Sequence, residues 1–295
     1  TTVQGGSTLN VGGNGSLGDI SSGTVVSTGS ALVLNNVNYT DPEPLNITGT
    51  GTGGAGALVG GGTSGFAGPI TLGGNATIGS GGGTFNLSGG IDKTGTVLTL
   101  SGGGTFNISG SGITGNTGSP NSDLVVSGTT VNLNVANTYN GPTFIQNAGV
   151  LNANVANALP TASGRTAISM DNTTGNSLNL AASQSIASLT GGANDTVTLG
   201  ANTLTIGAAS GSTIYAGSLS GAGGSLVKDL ASTLTLDQVA TYTGGTTVNG
   251  GTLNVRNTSG SATGTGDVTV GASGTLSGTG SIAPATDNSV YINGS

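Results

Sequence analysis

Apolar residues recur along this chain at every second position in short bursts separated by small polar residues. ALVL at 31–34, ITL at 70–72, VLTL at 97–100, SLNL at 177–180, TVTL at 196–199, TLTI at 203–206 and VTV at 268–270 all follow this pattern. A period of two turns one face of an extended segment inward and the other outward. Gly, Asn and Ser bound each burst as turn formers. A 3.6-residue period persists nowhere, so the pattern predicts many short strands and essentially no helix.

The strands are also repeated. SGGGTFNLSG at 80–89 returns as SGGGTFNISG at 101–110, differing only at Leu87 and Ile108. An offset of 21 residues fits one coil of a solenoid, in which equivalent side chains stack directly above one another. Inward Leu, Ile and Val then form aliphatic ladders, and outward Thr, Ser and Asn form hydrogen-bonded ones. The predicted fold is all-β: a right-handed parallel β-helix, a single β-solenoid over 1–295 with coils of about 21 residues.

A longer repeat pairs VNLNVANTYNGPTFI at 131–145 with LTLDQVATYTGGTTV at 234–248, matching Tyr139 to Tyr242 and Gly141 to Gly244. TTVQGGSTLNV at 1–11 returns as TTVNGGTLNV within 246–255. Repeat copies are therefore placed near 1–11, 131–155 and 226–255. Residues 38–68 break the pattern with YTDPEPLN and GTGTGGAGALVGGG, and an irregular loop insertion is expected there.

Composition supports a folded β chain. Sixty Gly supply turns, while Thr and Val suit pleated, half-buried surfaces. Charge is sparse, 4 basic against 11 acidic residues, for a net charge of −7. Disordered chains carry more charge and fewer aliphatics. With so few Lys and Arg, nucleic acid and anionic membrane surfaces are poor partners. No apolar run is long enough for a membrane helix. The absence of Cys fits an exported protein, although weakly.

These features converge on a family. LVKDLASTLTLDQVATYTGGTTVNGGTLNV at 226–255 resembles the autotransporter-associated β-strand repeat, also called the passenger-associated transport repeat. Residues 131–155 resemble a degenerate second copy, and 1–11 the tail half of another. The resemblance implies a bacterial protein of the cell surface or the extracellular space, exported across the outer membrane. It implies a β-helical stalk, usually an adhesin or scaffold, with no shared catalytic residue.

Chemistry is mostly excluded. Without His or Cys there is no Ser-His-Asp or Cys-His arrangement and no His- or Cys-based metal site. Glycoside hydrolysis needs two suitably spaced carboxylates. Only Asp41 and Glu43 are close in sequence, although coiling can bring distant carboxylates together, Asp92 and Asp123 for example. GGANDTV at 191–197 looks like a truncated calcium-binding nonapeptide, with Asp195 as ligand or, more simply, as an Asx-type turn. Thr203 with Thr205 and Thr233 with Thr235 suggest ice-binding ranks or, more simply, ordinary outward strand positions. Tyr139 and Tyr242 are expected to pack against their Gly turns, with carbohydrate stacking as the sharper alternative. Catalytic, metal and cofactor residues are therefore expected to be none.

Both ends read as strand. Thr1, Thr2, Val3, Leu9 and Val11 are expected to meet Val290, Tyr291 and Ile292 of another copy head to tail, or flanking repeats of a longer chain. Such a heterologous contact generates a filament. The expected protein is a non-enzymatic extracellular stalk or fibre subunit. The alternative is a β-helix that binds or cleaves surface polysaccharide.

Overall fold

The computed structural model describes residues 1–115, 123–161 and 164–293. The architecture is a parallel β-solenoid with coils of about 22 residues. Among the described residues the only helical piece is a 3₁₀ turn, Thr52–Gly54. The chain divides into two compact units, Thr1–Phe144 with Gly149–Leu151, and Ile145–Ala148 with Asn152–Ser295.

Three parallel ladders build the first unit. One joins Thr2–Val3, Thr24–Val26, Leu45–Gly49 and the opening of Ile70–Asp92. A second joins Thr8–Val11, Ala31–Asn35, Leu58–Phe66, the middle of Ile70–Asp92, Leu98–Gly102 and Leu124–Ser127. The third joins Asn38–Tyr39, the end of Leu58–Phe66, the later part of Ile70–Asp92, Thr105–Thr114 and Thr130–Leu133. Ile70–Asp92 is one extended run of 23 residues that contributes to all three ladders. It turns its corners at Gly82, Gly83 and Gly90, whose φ angles of 103°, 79° and 90° favour glycine.

The near-identical decapeptides stack on each other as their spacing predicts, with Thr84 opposite Thr105, Phe85 opposite Phe106 and Leu87 opposite Ile108. Inward positions form ranks such as Leu32, Leu58 and Ile78, all buried. Full burial of such a side chain contributes about 1.5–3 kcal/mol. The Phe85 and Phe106 rings lie 6.0 Å apart at 43°. Gly60 makes room for this pair, because a Cβ there would fall 2.3 Å from the Phe85 ring.

Outward positions form polar ranks. The Asn107 amide donates to the Asn86 side-chain oxygen at 2.8 Å, and Asn132 donates to Asn107 at 2.8 Å. Beside them stand Thr63, Thr84, Thr105 and Thr130 in register.

Residues 38–68 are not a loop leaving the solenoid. Asn38–Tyr39, Leu45–Gly49 and Leu58–Phe66 all lie in the ladders, and Tyr39 stacks on Phe66 at 5.7 Å and 14°. The reason is that Tyr39, Leu45, Ile47 and Leu58 keep inward places in them. In sequence, Tyr39, Pro42 and Leu45 stand where Tyr139, Pro142 and Ile145 stand in the longer repeat. That likeness is of sequence alone: Tyr39 stacks in the column of Phe66, Leu87, Ile108 and Leu133, whereas Tyr139 follows the strand of Ile113, in another ladder.

The second unit repeats the plan. One ladder runs through Ser212–Tyr215, Thr233–Leu236 and Gly245–Val255 to Val268–Gly278. Another runs through Gln184–Ile186, Thr203–Ile206, Ser225–Lys228, the start of Gly245–Val255 and Val268–Gly278 to Val290–Ile292. A third joins Ser177–Leu180, Thr196–Thr198 and Ser218–Ser220.

Candidate functional site

A shallow trough lies on the outer face of the first unit. It combines a cavity of about 220 Å³ with one of about 320 Å³, and both are walled by Pro69 and Thr71. Its floor follows one outward rank, in which Val25 faces Asn46, Asn46 faces Thr71, and Asp92 faces Thr114. Gly23, Gly89, Gly90 and Gly112 stand among its lining residues.

The carboxylates do not form a hydrolytic pair. Glu43 is buried and accepts a 2.7 Å hydrogen bond from the Thr24 hydroxyl, while its Oε2 has no partner. Asp41 instead accepts from the Gly15 N–H at 2.6 Å. Asp92 accepts from the Thr94 N–H at 3.0 Å and pairs in register with Thr114. Asp123 belongs to a different ladder, where its carbonyl accepts from the Leu98 N–H at 3.0 Å. The coils therefore do not stack Asp92 on Asp123.

Asp195 reads as the simpler turn. Its Oδ2 accepts from the N–H groups of Gly192 at 2.7 Å and Asn172 at 3.2 Å, and its Oδ1 from the Asn176 amide at 2.9 Å. Its oxygens are engaged by N–H donors, an arrangement unsuited to ligating calcium. The same Asn176 amide also reaches Asp171 Oδ1 at 2.6 Å. Asp171 is pushed up by burial, but hydrogen bonds from Asn176, Thr173 and Asn147 outweigh this and hold it below the usual carboxylate range. Among the described residues no group of three or more acidic side chains is placed to hold a metal ion.

Tyr139 and Tyr242 are buried, so neither ring is available to stack on a sugar. Each hydroxyl instead meets a Thr four residues on: Tyr139 meets Thr143 at 2.8 Å and Tyr242 meets Thr246 at 2.5 Å. Burial raises the Tyr242 phenol well above its ordinary value, and the Thr246 bond opposes this in part. The Thr pairs form mixed ranks: Thr205 faces Ser185 and Val227, and Thr235 faces Ile214 and Asn254.

The lysines were the residues that motif reasoning missed. Lys93 and Lys228 are both buried. Lys93 Nζ lies 4.8 Å from the Tyr139 ring centre and donates to the Asn140 carbonyl at 3.4 Å. Burial lowers its pKa to about 7, with Asp123 opposing. Lys228 Nζ donates to the carbonyls of Asp229, Leu230 and Gly250 at 2.7, 3.2 and 3.2 Å. Leu230 sits at φ 55°, a left-handed conformation unusual for Leu. Parity gave a signal for both lysines, since each lies two positions after an inward residue, Ile91 or Leu226. The two arginines are paired, Arg165 with Asp229 at 2.6 Å and Arg256 with Asp237 at 2.9 Å.

Of the expected interface residues, Val3 and Val11 are core, Leu9 is half-buried, and Thr1 and Thr2 are exposed. The Thr1 ammonium donates to the Gly23 carbonyl at 2.9 Å, and its hydroxyl to the Leu17 carbonyl. Val290, Tyr291 and Ile292 are 40%, 51% and 71% exposed. They lie in the second unit, whereas Thr1, Thr2, Val3, Leu9 and Val11 lie in the first.

Against this geometry, two segments, 127–153 and 226–255, match the family model described as passenger-associated-transport-repeat. Together they cover about a fifth of the chain. No curated protein and no solved structure matches the chain.

Proposed function

We propose, for a chain that carries two passenger-associated transport repeats in a parallel β-solenoid, that it is a non-enzymatic stalk of a bacterial surface or secreted protein. The repeats are those of passenger-type β-helices, and that match is the observation that carries the reading. The stalk acts as an adhesive element or fibre subunit. Its partners are other copies or flanking repeats. In such a join a further strand lies over Val290 and Ile292, which continue the inward rank of Val268 and Val270. Laying a further strand over them buries apolar surface at about 25 cal/mol per Å².

Electron microscopy of the purified chain tests self-assembly. End-to-end particles are expected, and particles that stay single at every concentration would sink it. Incubation with soluble polysaccharides tests the non-enzymatic reading: any cleavage abolished by Asp41→Asn or Glu43→Gln would overturn it. The trough favours a second reading, attachment to polysaccharide without cleavage.

A further inference from the structure

We infer that the trough of the first unit binds a neutral, linear glycan across successive coils. This rests on the adhesive reading above and names its ligand class.

Shape comes first. The trough crosses strand positions beginning near Thr24, Leu45, Ile70, Ile91 and Ile113. At about 4.8 Å between strands, this gives a floor of about 20 Å. The floor is preformed, because its backbone is held by parallel ladders, so binding orders little of the protein.

The lining chemistry then selects the ligand. The side chains of Asn46, Thr71, Ser111 and Thr114 make no hydrogen bond to other described residues. Asp92 uses one oxygen on the Thr94 N–H and leaves the other open to solvent. Elsewhere the outward asparagines are engaged with each other, as in Asn86, Asn107 and Asn132. The trough therefore keeps a row of donors and acceptors at coil spacing, suited to a chain of hydroxyl groups.

Charge narrows the class. Both lysines are buried and both arginines are paired with carboxylates, so no free side-chain cation stands in the trough to meet an anionic sugar. Asp92 actively disfavours one. A single carboxylate also falls short of the pair that hydrolysis needs, so the glycan is held and not cut. No aromatic ring lines the floor, so affinity for one chain is on the order of 1 mM, raised on a surface by multiple copies.

The test titrates the whole chain with hexasaccharides of β-1,4-glucose, β-1,3-glucose and β-1,4-N-acetylglucosamine, with hexagalacturonate as anionic control. Isothermal calorimetry and amide NMR shifts report binding. At least one neutral hexasaccharide binds, the Asn46→Ala/Thr71→Ala variant binds it about fivefold more weakly or not at all, and Thr71→Trp blocks it. Thr279→Ala, in the second unit, leaves it unchanged. Melting curves confirm that each variant folds. The inference is overturned if no neutral hexasaccharide binds at about 10 mM, if hexagalacturonate binds equally well, or if Thr71→Trp binds as the parent does. Such a failure leaves the stalk reading in place, since microscopy of the unmodified chain decides that separately.

Discussion

The Tyr242 hydroxyl and the Thr246 hydroxyl form a buried hydrogen bond across a Gly-Gly corner, and Thr246 in turn donates to the Thr263 carbonyl at 3.0 Å. Because the Thr246 proton is committed to that carbonyl, Tyr242 is the donor of the pair. Tyr139 and Thr143 repeat the relationship in the first unit. Tyr242→Phe removes the donor and keeps the ring, which costs about 1–2 kcal/mol. Tyr242→Ala also leaves a cavity and costs about 3–5 kcal/mol. Urea unfolding of the two variants, followed by circular dichroism, checks both the order and the gap.

Glu43 lies at the turn into Leu45–Gly49, beside Thr24 of the preceding coil. The carboxyl is buried, bonded only through Oε1 to Thr24, and its second oxygen is unpartnered. An unsatisfied buried polar group costs about 1–3 kcal/mol. Glu43→Met combined with Thr24→Val removes both the orphan oxygen and the donor that served its neighbour, leaving no buried polar side chain there. The expected result is a gain of about 1 kcal/mol or more in urea, and a loss of stability would refute the reading of this corner.

Lys93 predicts a pH dependence. Its folded pKa, about 7, lies below the ordinary 10.5 because of burial, with Asp123 opposing. Between these values the unfolded chain binds more protons than the folded one, so stability rises with pH from about 7 to about 10. The penalty is complete below the folded pKa and vanishes above the unfolded one. Lys228, also lowered chiefly by burial, adds in the same direction. In Lys93→Met the rise becomes shallower, as read from urea midpoints at a series of pH values. An unchanged slope would remove Lys93 as its source.

Gly60 and Phe85 are coupled through space. Gly60→Ala drives a methyl into the ring and costs about 1–3 kcal/mol. Adding Phe85→Leu recovers part of that loss. A double-mutant cycle in thermal unfolding measures the coupling, and simple additivity would mean the two do not compete for the same space.

Much of this was written in the pattern of residues. The alternation of apolar positions gave strands, and the decapeptides ending in Leu87 and Ile108 gave the coil length, because stacking demands that like lie over like. Residues 38–68 read as a loop because Pro42, Pro44 and the glycine run break the apolar alternation, although Tyr39, Leu45, Ile47 and Leu58 keep inward places in the ladders. The polar interior was also hard to read. A lysine between turn residues looks solvated, and only its parity after Ile91 or Leu226 betrays an inward course. The trough had no motif at all, since its lining residues come from separate coils and meet only when the coils stack.

The pairing and burial of all four basic side chains have a consequence for copies crowded on one surface. Acidic groups are left to dominate the exterior of a chain whose net charge is −7. Parallel neighbours therefore repel at low ionic strength and approach only as salt shortens the screening length, about 8 Å under physiological conditions. Ionic strength is thus the control on how closely such copies approach side by side.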